Sequence, residues 1–199
     1  MPTLDRQDNV FVLDLGDGEH RFHPYRLASV DAALDEVEKA QGPRAEVAAA
    51  TGRFYSNGLD LEWLDAHADQ HENCRTRVHG LFARVLSLAG ITVATLQGHP
   101  FAAGAMFPLA DDFRVMRADR GYWGLSEADI GIRFTPGMAA LIQSRLTLRI
   151  AHEAVISARR YSGSDAADPA PARRSSANMP SPADWLSMRD SAPGRLSIR

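Results

Sequence analysis

The chain has 199 residues, 45% of them hydrophobic and 24% charged, with a formal net charge of −3 at pH 7. A chain of this size can bury roughly 70% of its unfolded surface, and its mild acidity gives no basic patch of the kind that nucleic acid or an anionic membrane selects. Its single cysteine, Cys74, excludes an internal disulfide framework, and no apolar run approaches a membrane span; the charged N-terminus MPTLDRQDN lacks an export-type apolar stretch, so a cytoplasmic protein is expected.

In chain order, residues 10–15 (VFVLDL) and 19–23 (EHRFH) flank Gly16-Asp17-Gly18 and predict an opening hairpin. Ser29 is placed to cap a helix whose apolar positions Val30, Ala33, Leu34 and Val37 have helical spacing, with Gly42-Pro43 as its stop. Residues 45–50 (AEVAAA) predict a buried strand running into a turn-rich loop over 51–58. A long helix follows over about 72–88, with Val78, Leu81, Phe82, Val85 and Leu88 on one stripe. Residues 91–96 (ITVATL) are rich in β-branched side chains and predict a core strand. The small-residue run 98–104 then leads into an apolar segment ending at Leu109. Strand-like pieces at 112–116 and 122–125 and helices at 136–148 and 150–158 complete an α/β alternation.

Past Gly163 the periodicity stops. Residues 163–199 hold 7 Ser, 7 Ala, 5 Pro and 5 Arg, so 24 of 37 positions are of types that rarely build a core. The reading is a core over 1–162 and a largely disordered tail over 163–199, with one helical turn around Trp185, Leu186 and Met188.

Several clusters are candidates for chemistry. His67 and His71 at i, i+4 and Cys74 three residues on have helical ligand spacing, but the segment HADQHENC is polar and lacks a further ligand, so a surface helix is expected and no metal site. His20 and His23 fall on opposite faces of the expected strand. Ser56 lacks the first glycine of a nucleophile elbow, and neither dinucleotide-binding nor phosphate-loop glycine patterns occur. Two loops remain, Ser56-Asn57-Gly58-Leu59-Asp60 and Ala102-Ala103-Gly104, whose small residues leave backbone N–H groups open to grip an oxyanion. Glu127, in WGLSEADIG, is a carboxylate after an apolar piece, where burial beside Trp123 would raise its pKa and suit it to proton transfer.

Taken together, TGRFYSNGLDL (51–61), QGHPFAAG (97–104), ADDFRV (110–115) and WGLSEADIG (123–131) resemble, in order and spacing, the crotonase (enoyl-CoA hydratase/isomerase) superfamily. The stretch 98–131 is most similar to the plant peroxisomal type of Δ3,Δ2-enoyl-CoA isomerase. The resemblance implies a ββα spiral core and an acyl-CoA thioester as substrate, with coenzyme A entering as part of it and no separate cofactor. It assigns one oxyanion-hole N–H to Asn57 and the other to Ala103, with Gly104 as the neighbouring possibility, and coenzyme A contacts to Ser56, Asn57, Gly58, Leu59, Asp60 and Leu61. Hydratases carry a glutamate where this chain has Met106, and a second one at the position of Glu127. A single carboxylate suits a double-bond shift from C3 to C2 better than hydration, so Glu127 is the implied proton shuttle.

Family members continue past this length with C-terminal helices that close the acyl pocket and help to assemble trimers, whereas this composition changes near Gly163; an out-of-frame tail in an arginine-rich gene would produce such a change. The alternatives to an isomerase are another crotonase reaction, such as hydration or thioester hydrolysis, and an inactive acyl-CoA-binding or assembly protein.

Overall fold

The computed structural model describes residues 1–165 and, beyond them, the backbone of Arg173–Ser175. The chain opens with β1 (Thr3–Gln7) and β2 (Val10–Asp14), an antiparallel hairpin turning at Asp8-Asn9 with Asp8 at φ +50°. The hairpin therefore sits one strand earlier than the sequence suggests. Phe11, Val12 and Leu13 are all buried, and β2 takes a neighbour on each edge; residues 19–23 leave this sheet altogether.

Helix α1 (Pro24–Lys39) starts at Pro24, not after Ser29. His23 caps it, its Nδ1 accepting from Tyr25 N–H at 3.2 Å, and proline fits the first position because the N–H it lacks would have no helical partner. Ser29 lies inside the helix and its hydroxyl donates to the Tyr25 carbonyl. The buried stripe is Leu27, Val30, Leu34 and Val37.

Next come β3 (Ala45–Ala49), β4 (Phe54–Ser56), α2 (Leu61–Ala66), a 3-10 turn (Ala68–Gln70) and α3 (His71–Leu86). They are followed by β5 (Ile91–Leu96), β6 (His99–Pro100), α4 (Ala103–Ala110), β7 (Phe113–Arg117), β8 (Tyr122–Trp123), α5 (Pro136–Arg145), α6 (Leu148–Ser157), β9 (Tyr161–Ser162) and β10 (Arg173–Ser175). One rhythm recurs three times: a long strand, a short strand, then helix, as β3-β4-α2/α3, β5-β6-α4 and β7-β8-α5. The long strands join a six-stranded sheet in the order β1-β2-β3-β5-β7-β10, parallel apart from β1 against β2. The short strands build a second ladder: β4 pairs with β6, Phe101 with Gly124 and β8 with β9. This is the ββα spiral that the resemblance implies. No sequence period announces it, because the three turns share geometry and not residues.

Every residue of α4 is buried, and α3 and α5 pack against it. Phe22, Phe82 and Phe107 meet with ring centroids 5.9 to 6.2 Å apart, joining the loop before α1 to α3 and α4. The core therefore ends at the N-terminus of α4, where the chain arrives from the short-strand ladder. In the tail, β10 adds to the sheet edge along β7, with Arg173 opposite Val115; the helical turn expected around Trp185 lies outside the described residues.

The helical ligand spacing of His67, His71 and Cys74 produces no alignment, and the single surface helix expected there is divided in two. His67 ends α2 with its ring stacked 4.3 Å from Trp63, His71 begins a different helix, and the Cys74 thiol is buried and directed at the Phe22 carbonyl at 3.7 Å. The 3-10 turn between the helices breaks the phase that the spacing assumed. No helix among the described residues is long and apolar enough to cross a membrane.

Candidate active site

Two backbone corners meet at the end of the short-strand ladder. The first runs from β4 through Asn57 and Gly58 to α2, the second from β6 through Phe101 and Ala102 to α4. Gly58 has φ +76°, and a Cβ there would lie 3.1 Å from the Phe101 carbonyl oxygen and 3.3 Å from Ala103 N. Gly104 is tighter still: a Cβ would stand 2.3 Å from the Ser56 carbonyl oxygen. Glycine at both positions lets the corners touch. Ala102 carries the second bend without glycine, at φ +52°.

The hydrogen bonds of these corners leave two N–H groups over. In the second corner, Gly104 N–H donates to the Phe101 carbonyl and Ala105 N–H to that of Ala102, each at 2.8 Å. Ala103 N–H, between them, has no acceptor among the described residues. Of the two positions the sequence left open, Ala103 is thus the free one and Gly104 the engaged one. In the first corner, Asn57 N–H donates to the Glu19 carbonyl at 2.8 Å and Gly58 N–H to the Ser56 hydroxyl at 3.3 Å. That corrects the expectation for Asn57, whose amide is already spent. Two residues on, Leu59 N–H has no acceptor among the described residues; the sequence reading counted Leu59 only among the coenzyme A contacts.

Leu59 and Ala103 line one cavity of about 280 Å³ together with Glu127, Asn57, Leu61 and Met138. Glu127 is 4% exposed. It begins the turn 127–131, closed by Ile132 N–H on the Glu127 carbonyl at 2.9 Å, and so is no solvated helix start. Upstream, Trp123 is fully buried and its indole N–H donates to the Ala105 carbonyl at 2.9 Å, tying the turn to α4. Burial pushes the Glu127 carboxyl up to about 7, against a weaker lowering by a backbone hydrogen bond, and its Oε2 has no partner among the described residues. Such a group can exchange a proton near neutrality.

Several expected contacts lie elsewhere. Ser56 and Gly58 are buried behind the cavity, and Asp60 caps α2 by accepting from Trp63 N–H at 3.3 Å. Met106 is fully buried in α4 and does not line the cavity, so Glu127 is the one carboxylate on the wall among the described residues. Three arginines that the sequence reading passed over, Arg21, Arg75 and Arg133, line it as well. Arg21 holds Glu19 at 2.6 Å and Arg75 pairs with Glu72, and nothing in the local sequence marks these residues as neighbours in space.

The enoyl-CoA hydratase/isomerase family model matches residues 9–169. The chain is 35% identical over 177 residues to the peroxisomal enoyl-CoA delta isomerase 2 of Arabidopsis thaliana, and 37% identical over 177 residues to enoyl-CoA delta isomerase 3 of the same plant. Each match covers 83% of this chain and 73% of the relative. A crystal structure of a probable enoyl-CoA hydratase from Mycobacterium tuberculosis superposes with a TM-score of 0.77 at 26% identity, covering 83% of this chain and 70% of that one. The three ββα turns agree with the likeness in fold, and the chain belongs to the enoyl-CoA hydratase/isomerase family.

Proposed function

We propose that the protein is an acyl-CoA isomerase that moves a C3 double bond to trans-C2. The carrying observation is Glu127, which is buried and, among the described residues, unpartnered at Oε2 and alone among carboxylates on the wall of the cavity that Leu59 and Ala103 also line. Glu127, as carboxylate, removes a C2 proton from a 3-enoyl thioester. The electrons move into the thioester carbonyl, giving a dienolate, and the protonated Glu127 returns the proton at C4. Charge developing on the carbonyl oxygen is met by the two free N–H groups, each worth about 3 kcal/mol in comparable oxyanion holes. Arg133, with the ion-paired Arg21 and Arg75, brings guanidinium groups to the cavity wall, a chemistry that suits a phosphate-bearing coenzyme A. Hydration would need a second carboxylate to hold water, and Met106 offers none.

The test is conversion of a 3-enoyl-CoA to its conjugated trans-2 product, followed by absorbance, in the parent and in Glu127→Gln. Turnover by the parent and its loss in a folded Glu127→Gln support the reading; equal rates overturn the role of Glu127.

A further inference from the structure

The first corner is held from behind by the segment leading into α1. Its Glu19 carbonyl takes the Asn57 N–H at 2.8 Å, its His20 carbonyl accepts from the Ser56 hydroxyl at 2.8 Å, and its Phe22 N–H donates to the Gly58 carbonyl at 2.7 Å. In an extended strand successive carbonyls point to opposite sides. Here the Glu19 and His20 carbonyls both serve the same loop, and His20 between them has φ +54°, a left-handed backbone that breaks the alternation. Its ring is buried against Gly16, away from this loop, so the bend acts on the loop through the backbone.

At the centre is the Ser56 hydroxyl, 1% exposed as a residue, which donates to His20 and accepts the Gly58 N–H at 3.3 Å. We propose that Ser56 is a positioning residue for the thioester carbonyl: by occupying the Gly58 N–H and tethering the loop to His20, it leaves Leu59 N–H as the one donor of this corner that faces substrate. The inference rests on the isomerase reading and deepens it. Ser56 touches no substrate atom. It acts through the direction of a neighbouring amide, and a misdirected amide weakens stabilisation of the transition state more than it weakens ground-state binding.

The experiment compares the parent with Ser56→Ala and Ser56→Cys, using the infrared carbonyl stretch of bound, carbonyl-labelled butyryl-CoA together with kcat and KM for a 3-enoyl-CoA. In the parent the stretch should fall on binding. In Ser56→Ala the fall should shrink and kcat should drop about ten-fold with KM within about two-fold; Ser56→Cys keeps the volume with a weaker donor, should be intermediate, and carries the test if the alanine variant does not fold. A full carbonyl shift and parental kcat in folded variants would overturn the positioning role and leave the isomerase reading standing. If the parent itself shifts no carbonyl and turns over no 3-enoyl-CoA, both fall.

Discussion

The cavity wall carries two kinds of polar group that are built in opposite ways, and the proposed isomerisation gives each a task. The side proposed to receive the carbonyl is backbone: the Leu59 and Ala103 N–H groups, set in place by two glycines, an alanine at positive φ and the start of a buried helix. The side proposed to move the proton is a single side chain, Glu127, whose raised pKa comes from burial. The difference teaches where each function is vulnerable. A side chain can be deleted without disturbing the fold, whereas a backbone donor can be reached only through the residues that shape its surroundings.

The sharpest break of this contrast is Glu127→Gln, which should lower kcat by about a thousand-fold, within the range of general acid–base effects, in the absorbance assay of 3-enoyl-CoA conversion. The same change should stabilise the fold. A carboxyl whose folded pKa is about 7 and whose ordinary value is 4.5 contributes stability below pH 4.5 that is lost as pH rises through 7. Relative to the parent, Glu127→Gln should therefore gain on the order of 2–3 kcal/mol at pH 8 and little at pH 4, measured by denaturant titration.

On the backbone side, Gly104→Ala drives a Cβ to 2.3 Å from the Ser56 carbonyl oxygen, a backbone atom that no rotamer change can move aside, and should cost about 3 kcal/mol in urea unfolding. The pH profile of kcat/KM should rise with an apparent pKa near 7, since Glu127 must be ionised to act as base. Leu59→Ala keeps the N–H, and kcat should stay within about three-fold of the parent. The smallest effect is expected at Ala102→Gly, where relief of the left-handed alanine outweighs glycine's added chain entropy and stabilises the fold by about 0.5–1 kcal/mol in a thermal melt.

The two sides also differ in how far the sequence disclosed them. Glu127 could be picked out because an apolar run with Trp123 leads straight into it, and burial follows from local composition. The strands β3, β5 and β7 and the stripe of α3 were legible for the same reason. The carbonyl side was located by its small residues but misassigned by two positions in the first corner. The acceptor that spends the Asn57 amide is Glu19, far back in the chain, and nothing local to Asn57 signals it. The start of α1 was misread although a signal existed: proline at a first helical position was stronger than the serine within the stripe. The opening hairpin failed because Gly16-Asp17-Gly18 is a fair turn sequence, and only the need of a buried β2 for neighbours on both edges moves the pairing to Thr3–Gln7.

Met106 gives the buried helix α4 a further meaning. It lies one turn inside the carbonyl corner, fully enclosed, where it packs rather than faces ligand. A carboxylate introduced at this position would have to be accommodated inside a fully buried helix, so a substitution of Met106 acts on the packing of the core before it acts on the cavity.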